Sequence, residues 1–382
     1  MSVSCPEGMA TVMSMGALDD SRKIDPVRSL SNLAVHAEQK GYDDLLATRL
    51  KLATRKGMIR TMEGVFPRDA YNPSIVETGS RTVLAARVES KLSEWHDPAR
   101  WDPQVRFFVR NRQRQLVPLR GAPVFDKFED PYATWITDTS GRQQLLLAAV
   151  TLDRTMANPT SPGLNQALAD PIPVTKFFMA PSIEELDPSH PIATIYGMKD
   201  GFRVIQCPDG SLLMATRPAD GRVGENVLGL LRLPSITDVN ANVVVRDSTL
   251  LNTGLDPGTF IAVNQMQWVK RSPDSEPIIG AMGCISRDVP GKGWQFAPVV
   301  WLIDPKRMIM SRPVVIAVRA DFPKGSPKYP DLADVLFPGS LVRSPNGLAH
   351  LWTGVSDAQI GELVMKDPFT ALGYPVGELK QA

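Results

Sequence analysis

The sequence contains few residues of the types that bind metals or form disulfides. Its 382 residues include only four histidines and three cysteines: His36, His96, His190, His350, Cys5, Cys207 and Cys284. None of them is spaced as zinc ligands are, and an odd, sparse cysteine count is typical of a reducing compartment. The sequence therefore predicts no metal and no cofactor, and a cytoplasmic location.

The chain also lacks a charge excess and long apolar runs. Lys and Arg number 42 against 41 Asp and Glu, so the basic surplus of a general nucleic-acid binder is absent. No apolar stretch reaches membrane-spanning length. The start, MSVSCPEGMATVMSMGALDDSR, has no basic segment followed by an apolar run, so we expect no signal peptide.

Three common catalytic signatures are missing as well. The sequence has no G-x-x-x-x-G-K-[ST] phosphate loop, no Rossmann glycine fingerprint that opens a helix, and no G-x-S-x-G elbow. The chemistry that remains available is that of carboxylates and bases near strand ends.

Residues 30–57 have the composition and periodicity of helices, with Gly41 as the point that divides two of them. The second half is basic through Arg49, Lys51, Arg55 and Lys56, followed by Arg60. These bases form either a solvated face or a contact with an oligomer partner or an anion. We predict an N-terminal, partly helical extension over residues 1–64 and a second domain over 65–382.

From about residue 65, short β-rich runs alternate with turns. The chain has 33 prolines among its 382 residues, a share well above the usual ~5%. Five hairpin turns are predicted, at the following positions: Gly79, Ser140-Gly141, Asp209-Gly210, Asp274 and Asn346-Gly347. They recur every 62 to 73 residues, which indicates radial repetition. We predict an all-β fold, a five-bladed β-propeller. A pair of β-sandwiches is the alternative, but it gives no reason for this period.

The stretch KFEDPYATWI places Glu129 and Asp130 where a strand begins. Asp130, followed by Pro131, either starts a turn or is a positioned acid. Because successive strand residues face opposite sides, we expect Glu129 to point away from Asp130 and to pair with a neighbouring base.

Four motifs together resemble a known family: YNP…ARVE, FEDPY, MKDGFRVI…TRP and DVLFPGSLVRS…GVSD, in this order over residues 68–360. The set is similar to the mannoside phosphorylases of glycoside hydrolase family 130. It is closer to the mannosyltransferase/phosphorylase proteins of glycosyltransferase family 108. The resemblance implies a five-bladed propeller that reversibly transfers mannose. The donors would be mannose 1-phosphate or GDP-mannose, and the partner a β-1,2-mannan oligosaccharide.

The resemblance also implies roles for individual residues. Asp130 matches the catalytic acid. The residues assigned to mannose binding are Asn72, Arg87, Asn264 and Asp357, together with Tyr132, two residues after the acid. Lys199 and Arg217 match phosphate-binding positions, and Arg203, in the strand after Lys199, is assigned with them.

This chain departs from the family pattern at three positions. Tyr132 replaces the usual Arg of EDPR, while Thr216 and Cys284 stand where relatives carry histidine. The two histidine losses favour a nucleotide-sugar donor over phosphate. Two alternatives stay open: a five-bladed glycoside hydrolase of another specificity, and a non-catalytic propeller that binds a glycan or protein. A homo-oligomer is a further expectation.

Aromatic side chains offer surfaces for sugar stacking. The candidates are Trp95, Trp101, Trp135 and Tyr132. Packing between blades is the alternative role for most of them.

Overall fold

The structure is a computed structural model, and it describes residues 39–376 apart from 80, 95–96, 98, 154–170, 198–201 and 218–227. The first strands are β1 (Met58–Ile59), β2 (Asp69–Thr78), β3 (Arg81–Glu89), β4 (Gln104–Arg110), β5 (Leu116–Pro118), β6 (Phe125–Asp126), β7 (Glu129–Thr137) and β8 (Gln143–Asp153). The central strands are β9 (Ile172–Ala180), β10 (Ala193–Tyr196), β11 (Arg203–Gln206), β12 (Leu212–Thr216), β13 (Leu228–Leu233) and β14 (Thr249–Leu251). The last strands are β15 (Phe260–Val269), β16 (Ile278–Val289), β17 (Gly293–Asp304), β18 (Ile309–Met310), β19 (Val314–Val315), β20 (Leu336–Arg343), β21 (Leu348–Val355) and β22 (Gln359–Lys366). The helices are short: α1 (Tyr42–Ala47), α2 (Ala241–Asp247), α3 (Pro368–Ala371), and 3₁₀ turns at Ile236–Asp238, Arg319–Asp321 and Pro330–Leu332.

These strands form five antiparallel sheets, which are the blades of a propeller. Blade 1 runs β2-β3-β4-β5 with β6 on β4, blade 2 β7 to β10, blade 3 β11 to β14, blade 4 β15 to β18 with β19 on β17, and blade 5 β20 to β22. The first strand of each blade contacts the first strand of the next, and β20 returns to β2. The predicted five-bladed propeller is therefore confirmed. All five predicted turns lie between the first and second strands of a blade.

Apolar side chains fill the spaces between adjacent blades. Within the described residues, five clusters of buried side chains occur, one for each interface between neighbouring blades. Phe125 and Phe178, from blades 1 and 2, meet edge to face with centroids 4.9 Å apart. Each such buried side chain contributes roughly 1.5–3 kcal/mol, so the interfaces between blades hold the ring together.

The N-terminal segment closes the ring. β1 pairs with β22 in the register Met58↔Glu362 and so forms the outer strand of blade 5. Just before it, Thr54 donates its backbone N–H to the Val364 carbonyl at 3.1 Å.

The helix predicted after Gly41 is confirmed only over α1, and the prediction of helix to residue 57 is wrong. Residues 52–59 run beside β22 instead, because pairing with a strand edge and burial of Leu52 outweigh a helical preference of a few tenths of a kcal/mol per residue. The part of the prediction before residue 39 lies outside the described residues. The domain boundary at residue 64 stays a prediction.

Candidate active site

Four of the five innermost strands carry a β-bulge near the same end of the ring. The bulges lie at Asn72-Pro73 in β2, Asp130-Pro131 in β7, Asn264 in β15 and Gly339 in β20. Asn72 and Asp130 adopt left-handed conformations, with φ 48° and 50°, which Asn and Asp accept more readily than most residues. A bulge re-aims a side chain, and bulges are enriched beside active sites.

The bulges of blades 1 and 5 touch. A Cβ atom added at Gly339 would lie 1.7 Å from the Pro73 carbonyl oxygen, so only glycine fits there. Gly354, in β21, is similarly close, since a Cβ there would lie 2.8 Å from Asn72 Oδ1. These contacts fix Asn72 against blade 5.

Asp130 is held by side chains from blade 1. Asn72 Nδ2 donates to Asp130 Oδ1 at 2.7 Å, and Arg87 NH1 lies 3.3 Å from the same oxygen. The Asp130 side chain is 9% exposed. Of the two roles left open from the sequence, this geometry fits a positioned acid, because Asp130 lies inside β7 and is oriented by residues from another blade.

Arg87 is the cation that three carboxylates share. Its NH2 lies 2.9 Å from Glu89 Oε2, and its NH1 lies 2.9 Å from Glu129 Oε2 as well as near Asp130. The side chains of Glu89 and Glu129 are fully buried. Burial raises the pKa of Glu89, but Arg87 and Lys328 outweigh it and leave that pKa lowered.

The predicted pairing of Glu129 with a base is confirmed, but the predicted separation from Asp130 is wrong. Both carboxylates reach Arg87 NH1. The reason is the bulge, which breaks the alternation of strand side chains between Glu129 and Tyr132.

Lys328 completes this cluster and was not predicted from the sequence. It comes from the segment before blade 5, and its ammonium group binds Glu89 and lies 3.5 Å from the Tyr71 hydroxyl. Tyr71 donates its hydroxyl to Glu89 as well. The Lys328 backbone N–H binds the Ser356 carbonyl at 3.1 Å, which ties this lysine to the neighbour of Asp357. No local motif marks Lys328, since only the closed ring brings it to β3.

Asp357 follows β21 in a left-handed conformation, φ 50°, and is half-buried. Burial, reinforced by the charge of Asp130, raises its pKa to about 6, although Arg87 acts in the opposite direction. Asp130 and Asp357 are thus coupled carboxylates in one site, with different environments.

We expect Asp357→Asn to stabilise the protein above pH 6. Its folded pKa of about 6 exceeds the ordinary value of 3.8, so between these values the native state binds the proton more tightly. The wild type should then lose stability relative to the variant as pH rises from about 4 to 6, by up to about 3 kcal/mol. Urea denaturation at several pH values measures the difference. A difference that stays constant from pH 4 to 7 would contradict the burial of this charge.

Arg203 lies across from this cluster, at the start of blade 3. Its guanidinium stacks on the Tyr132 ring at 4.9 Å, and its Nε donates to the Asn264 carbonyl at 2.9 Å. Tyr132 is buried, and its hydroxyl donates to the Val204 carbonyl at 2.6 Å. A small cavity between Asp130 and Arg203 is also lined by Phe202 and Thr175.

Two asparagines present buried oxygen atoms at the site. Asn72 Oδ1 and Asn264 Oδ1 have no hydrogen-bond partner among the described residues. Buried polar atoms of native proteins are nearly always paired, so these two oxygens are exceptions within the described residues.

The other predicted phosphate ligands have different outcomes. Arg217 directly follows β12, two residues beyond Ala215, which is the register partner of Arg203. Arg203, at the start of β11, and Arg217, just after β12, therefore lie at the same end of the β11–β12 pair. Lys199 lies outside the described residues.

The remaining candidates are buried, engaged in contacts between blades, or outside the described residues. Trp135 donates its indole N–H to the Glu77 carbonyl at 2.8 Å, in the interface between blades 1 and 2. Trp101 and Cys284 are buried, and Trp95 lies outside the described residues.

The described residues offer neither a membrane-spanning helix nor a metal-binding cluster. No helix in this part of the chain is long and apolar enough to cross a membrane. The same residues contain no group of three or more His, Cys, Asp or Glu side chains arranged to hold a metal ion.

A family model described as "Protein of unknown function (DUF1861)" matches residues 49–371. The chain belongs to this family. No curated protein matches the chain.

Solved structures with the same fold include several mannoside enzymes. A mannose phosphorylase from Leishmania mexicana, in complex with phosphate ion, is 23% identical with a TM-score of 0.69, over 86% of this chain and 93% of that one. A GDP-Man-dependent mannosyltransferase from the same organism is 21% identical with a TM-score of 0.66, over 84% and 92%. The β-1,2-mannobiose phosphorylase from Listeria innocua, in complex with β-1,2-mannobiose, is 12% identical with a TM-score of 0.56, over 85% and 94%. The resemblance read from the sequence is thus confirmed at the level of the fold.

Proposed function

We propose that this protein is an inverting mannosyltransferase/phosphorylase. It would transfer mannose reversibly between mannose 1-phosphate or GDP-mannose and β-1,2-mannooligosaccharides. The observation that carries the proposal is Asp130, placed on a bulge and oriented by Asn72 and Arg87. The mannoside enzymes that share the fold support the substrate class. The cytoplasmic location and the homo-oligomer stay predictions from the sequence.

The charges around Asp130 divide the site into two halves. Among the described residues, the half around Arg87 contains the carboxylates of Glu89, Glu129 and Asp357 and the cations Arg87 and Lys328, and Asp130, from β7 of blade 2, borders this half. An anion would be repelled there, whereas sugar hydroxyls can donate to the partly accessible carboxylates of Asp130 and Asp357. The mannose is therefore assigned to this half.

The opposite half carries the bases of blade 3. Arg203 and Arg217 lie at one edge of that blade, and Lys199 precedes it in the sequence. A guanidinium group can donate two parallel hydrogen bonds to two phosphate oxygens. This half therefore suits phosphate or the diphosphate of a nucleotide sugar. Asp130 lies between the halves, where the glycosidic oxygen would be.

This arrangement provides for phosphorolysis with one acid. A phosphate oxygen attacks C1 of the terminal mannose, the C1–O glycosidic bond breaks, and Asp130 protonates the leaving oxygen directly or through a sugar hydroxyl. Inverting hydrolases need a second carboxylate to activate water, but phosphate is already an anionic nucleophile. In the synthetic direction, Asp130 takes the proton of the acceptor hydroxyl. The bases fix the geometry of attack.

Incubation with a short β-1,2-mannan and either inorganic phosphate or GDP-mannose tests the proposal. Shortening of the chain with release of mannose 1-phosphate would establish a phosphorylase, and lengthening with GDP-mannose would establish a transferase. Hydrolysis to free mannose without phosphate would instead show a glycoside hydrolase. An unchanged chain in both reactions would contradict the proposed activity and favour the non-catalytic propeller.

We expect Arg203→Met to weaken the binding of phosphate or of GDP-mannose more than it lowers turnover. The KM for phosphate, or for GDP-mannose, should rise about tenfold or more, since a charge-assisted hydrogen bond is lost. Arg203→Lys keeps the charge and should retain part of the affinity. Steady-state kinetics with phosphate and with GDP-mannose measures the effect. An unchanged KM in a folded Arg203→Met protein would remove Arg203 from the phosphate half.

A further inference from the structure

Four aromatic side chains form a continuous row between blades 4 and 5. Phe260, Trp294, Phe296 and Phe337 follow one another with ring centroids 6.0, 5.9 and 6.4 Å apart. We call them the aromatic row. Three come from blade 4, and Phe337 comes from the first strand of blade 5.

The strand register places the blade 4 members on one face. Phe260 pairs with Ser286 in β16, and Ser286 pairs with Phe296 in β17. Trp294 is two residues before Phe296 and shares its face. Deeper on the same face, Met282 and Val300 pack against blade 5, so this face of the sheet is the one that meets blade 5.

The rings of the aromatic row are more exposed than the aromatic rings that pack in the core between other blades. Every member is partly exposed. In contrast, the phenylalanines that fill the other blade interfaces, such as Phe125, Phe177 and Phe178, are at most 1% exposed. The row therefore presents a shallow apolar surface that water reaches, with the Asp288 carboxyl group at its edge as the register partner of Trp294.

The aromatic row leads directly to the candidate active site. Phe337 pairs with Gly354, and Gly354 lies against Asn72, which holds Asp130. Phe337 is also two residues before the Gly339 bulge. A chain that occupies the mannose half and continues toward blade 5 would pass over this row.

We propose that the aromatic row is a binding platform for the oligosaccharide beyond the sugars at the reaction centre. A pyranose ring has an apolar face of C–H groups that can cover an aromatic ring, while its hydroxyls reach the exposed Asp288 or water. The combination of apolar rings with a few polar groups is typical of ligand sites. The proposal rests on the proposed function, and it adds that substrates longer than a disaccharide bind through blades 4 and 5.

Trp294→Ala and Phe296→Ala test the platform. For β-1,2-mannooligosaccharides of increasing length, the KM for long substrates should rise about tenfold, because stacking is lost. The kcat/KM for the disaccharide should change less than about twofold, since it does not reach the row. The matched control is Tyr196→Ala, which removes a 47% exposed aromatic ring from the outer strand of blade 2.

The outcomes separate the platform from the proposed function. An equal loss for all lengths, or no loss for any, would overturn the platform while the mannoside activity stands. If the wild type acts on no mannoside, the proposed function fails, and direct binding is measured by titrating β-1,2-mannan and other oligosaccharides. Binding that Trp294→Ala weakens and Tyr196→Ala does not would then support the platform alone, and its absence would overturn it.

Discussion

The Asp130→Asn variant is expected to lose at least roughly 10²–10⁴-fold in kcat, because proton transfer by a positioned acid is worth about that much. The amide keeps the size of the side chain and can still meet the Arg87–Asn72 frame around Oδ1. The fold should therefore persist, while the proton for the leaving oxygen is gone. Initial rates in both the phosphorolytic and the synthetic direction measure the loss.

Asp126→Asn is the control for this experiment. Asp126 lies four residues earlier, is exposed and contacts only Gln104 among the hydrogen bonds of the described residues. It should keep wild-type rates. Normal activity of a folded Asp130→Asn protein would remove Asp130 from the mechanism.

Arg87→Met should destabilise the protein by about 3–5 kcal/mol and abolish activity. The substitution leaves Glu89 and Glu129 buried without their shared guanidinium, and breaking a buried ion pair from one side has a cost of this size. Lys328 still binds Glu89, so Glu129 carries most of the penalty. Asp130 also loses one of the side chains that orient it. Urea denaturation near pH 7 gives the change in unfolding free energy.

Arg232→Met is the matched control for the charge. Arg232 forms an ion pair with Asp209 at 3.1 Å, but both side chains are more than half exposed. Exposed pairs contribute little, so the unfolding free energy of this variant should equal that of the wild type within error. Equal stability of Arg87→Met and the wild type would show that the three carboxylates do not depend on Arg87.

The blades could be predicted from the sequence because the turn signals are local. Dipeptides such as Asp209-Gly210 and Asn346-Gly347 favour left-handed turn conformations, and their spacing repeats along the chain. The segment at residues 52–59 could not be predicted, because its strand pairing depends on β22, some 300 residues later in the chain. Helical periodicity was present there, but the long-range partner decided the structure.

The candidate site divides in the same way. Asp130, Asn72 and Arg87 could be proposed from motifs, and the structure brings these three together. Lys328 could not, since it has no motif and reaches Glu89 only when blade 5 lies beside blade 1. The predicted orientation of Glu129 is wrong because the alternation of side chains between two faces holds only in a regular strand. The bulge at Asp130-Pro131, which interrupts the strand, depends on tertiary structure. The aromatic row likewise combines residues of two blades.

The function proposed for this site is mannose transfer with inversion, in which Asp130 protonates the leaving oxygen in the phosphorolytic direction. The most direct measurement is NMR of the wild-type protein with β-1,2-mannobiose and inorganic phosphate, read at the earliest time points. We expect α-mannose 1-phosphate as the first phosphorylated product, and none from Asp130→Asn. Release of the β-anomer, or of free mannose at a rate independent of phosphate, would contradict it.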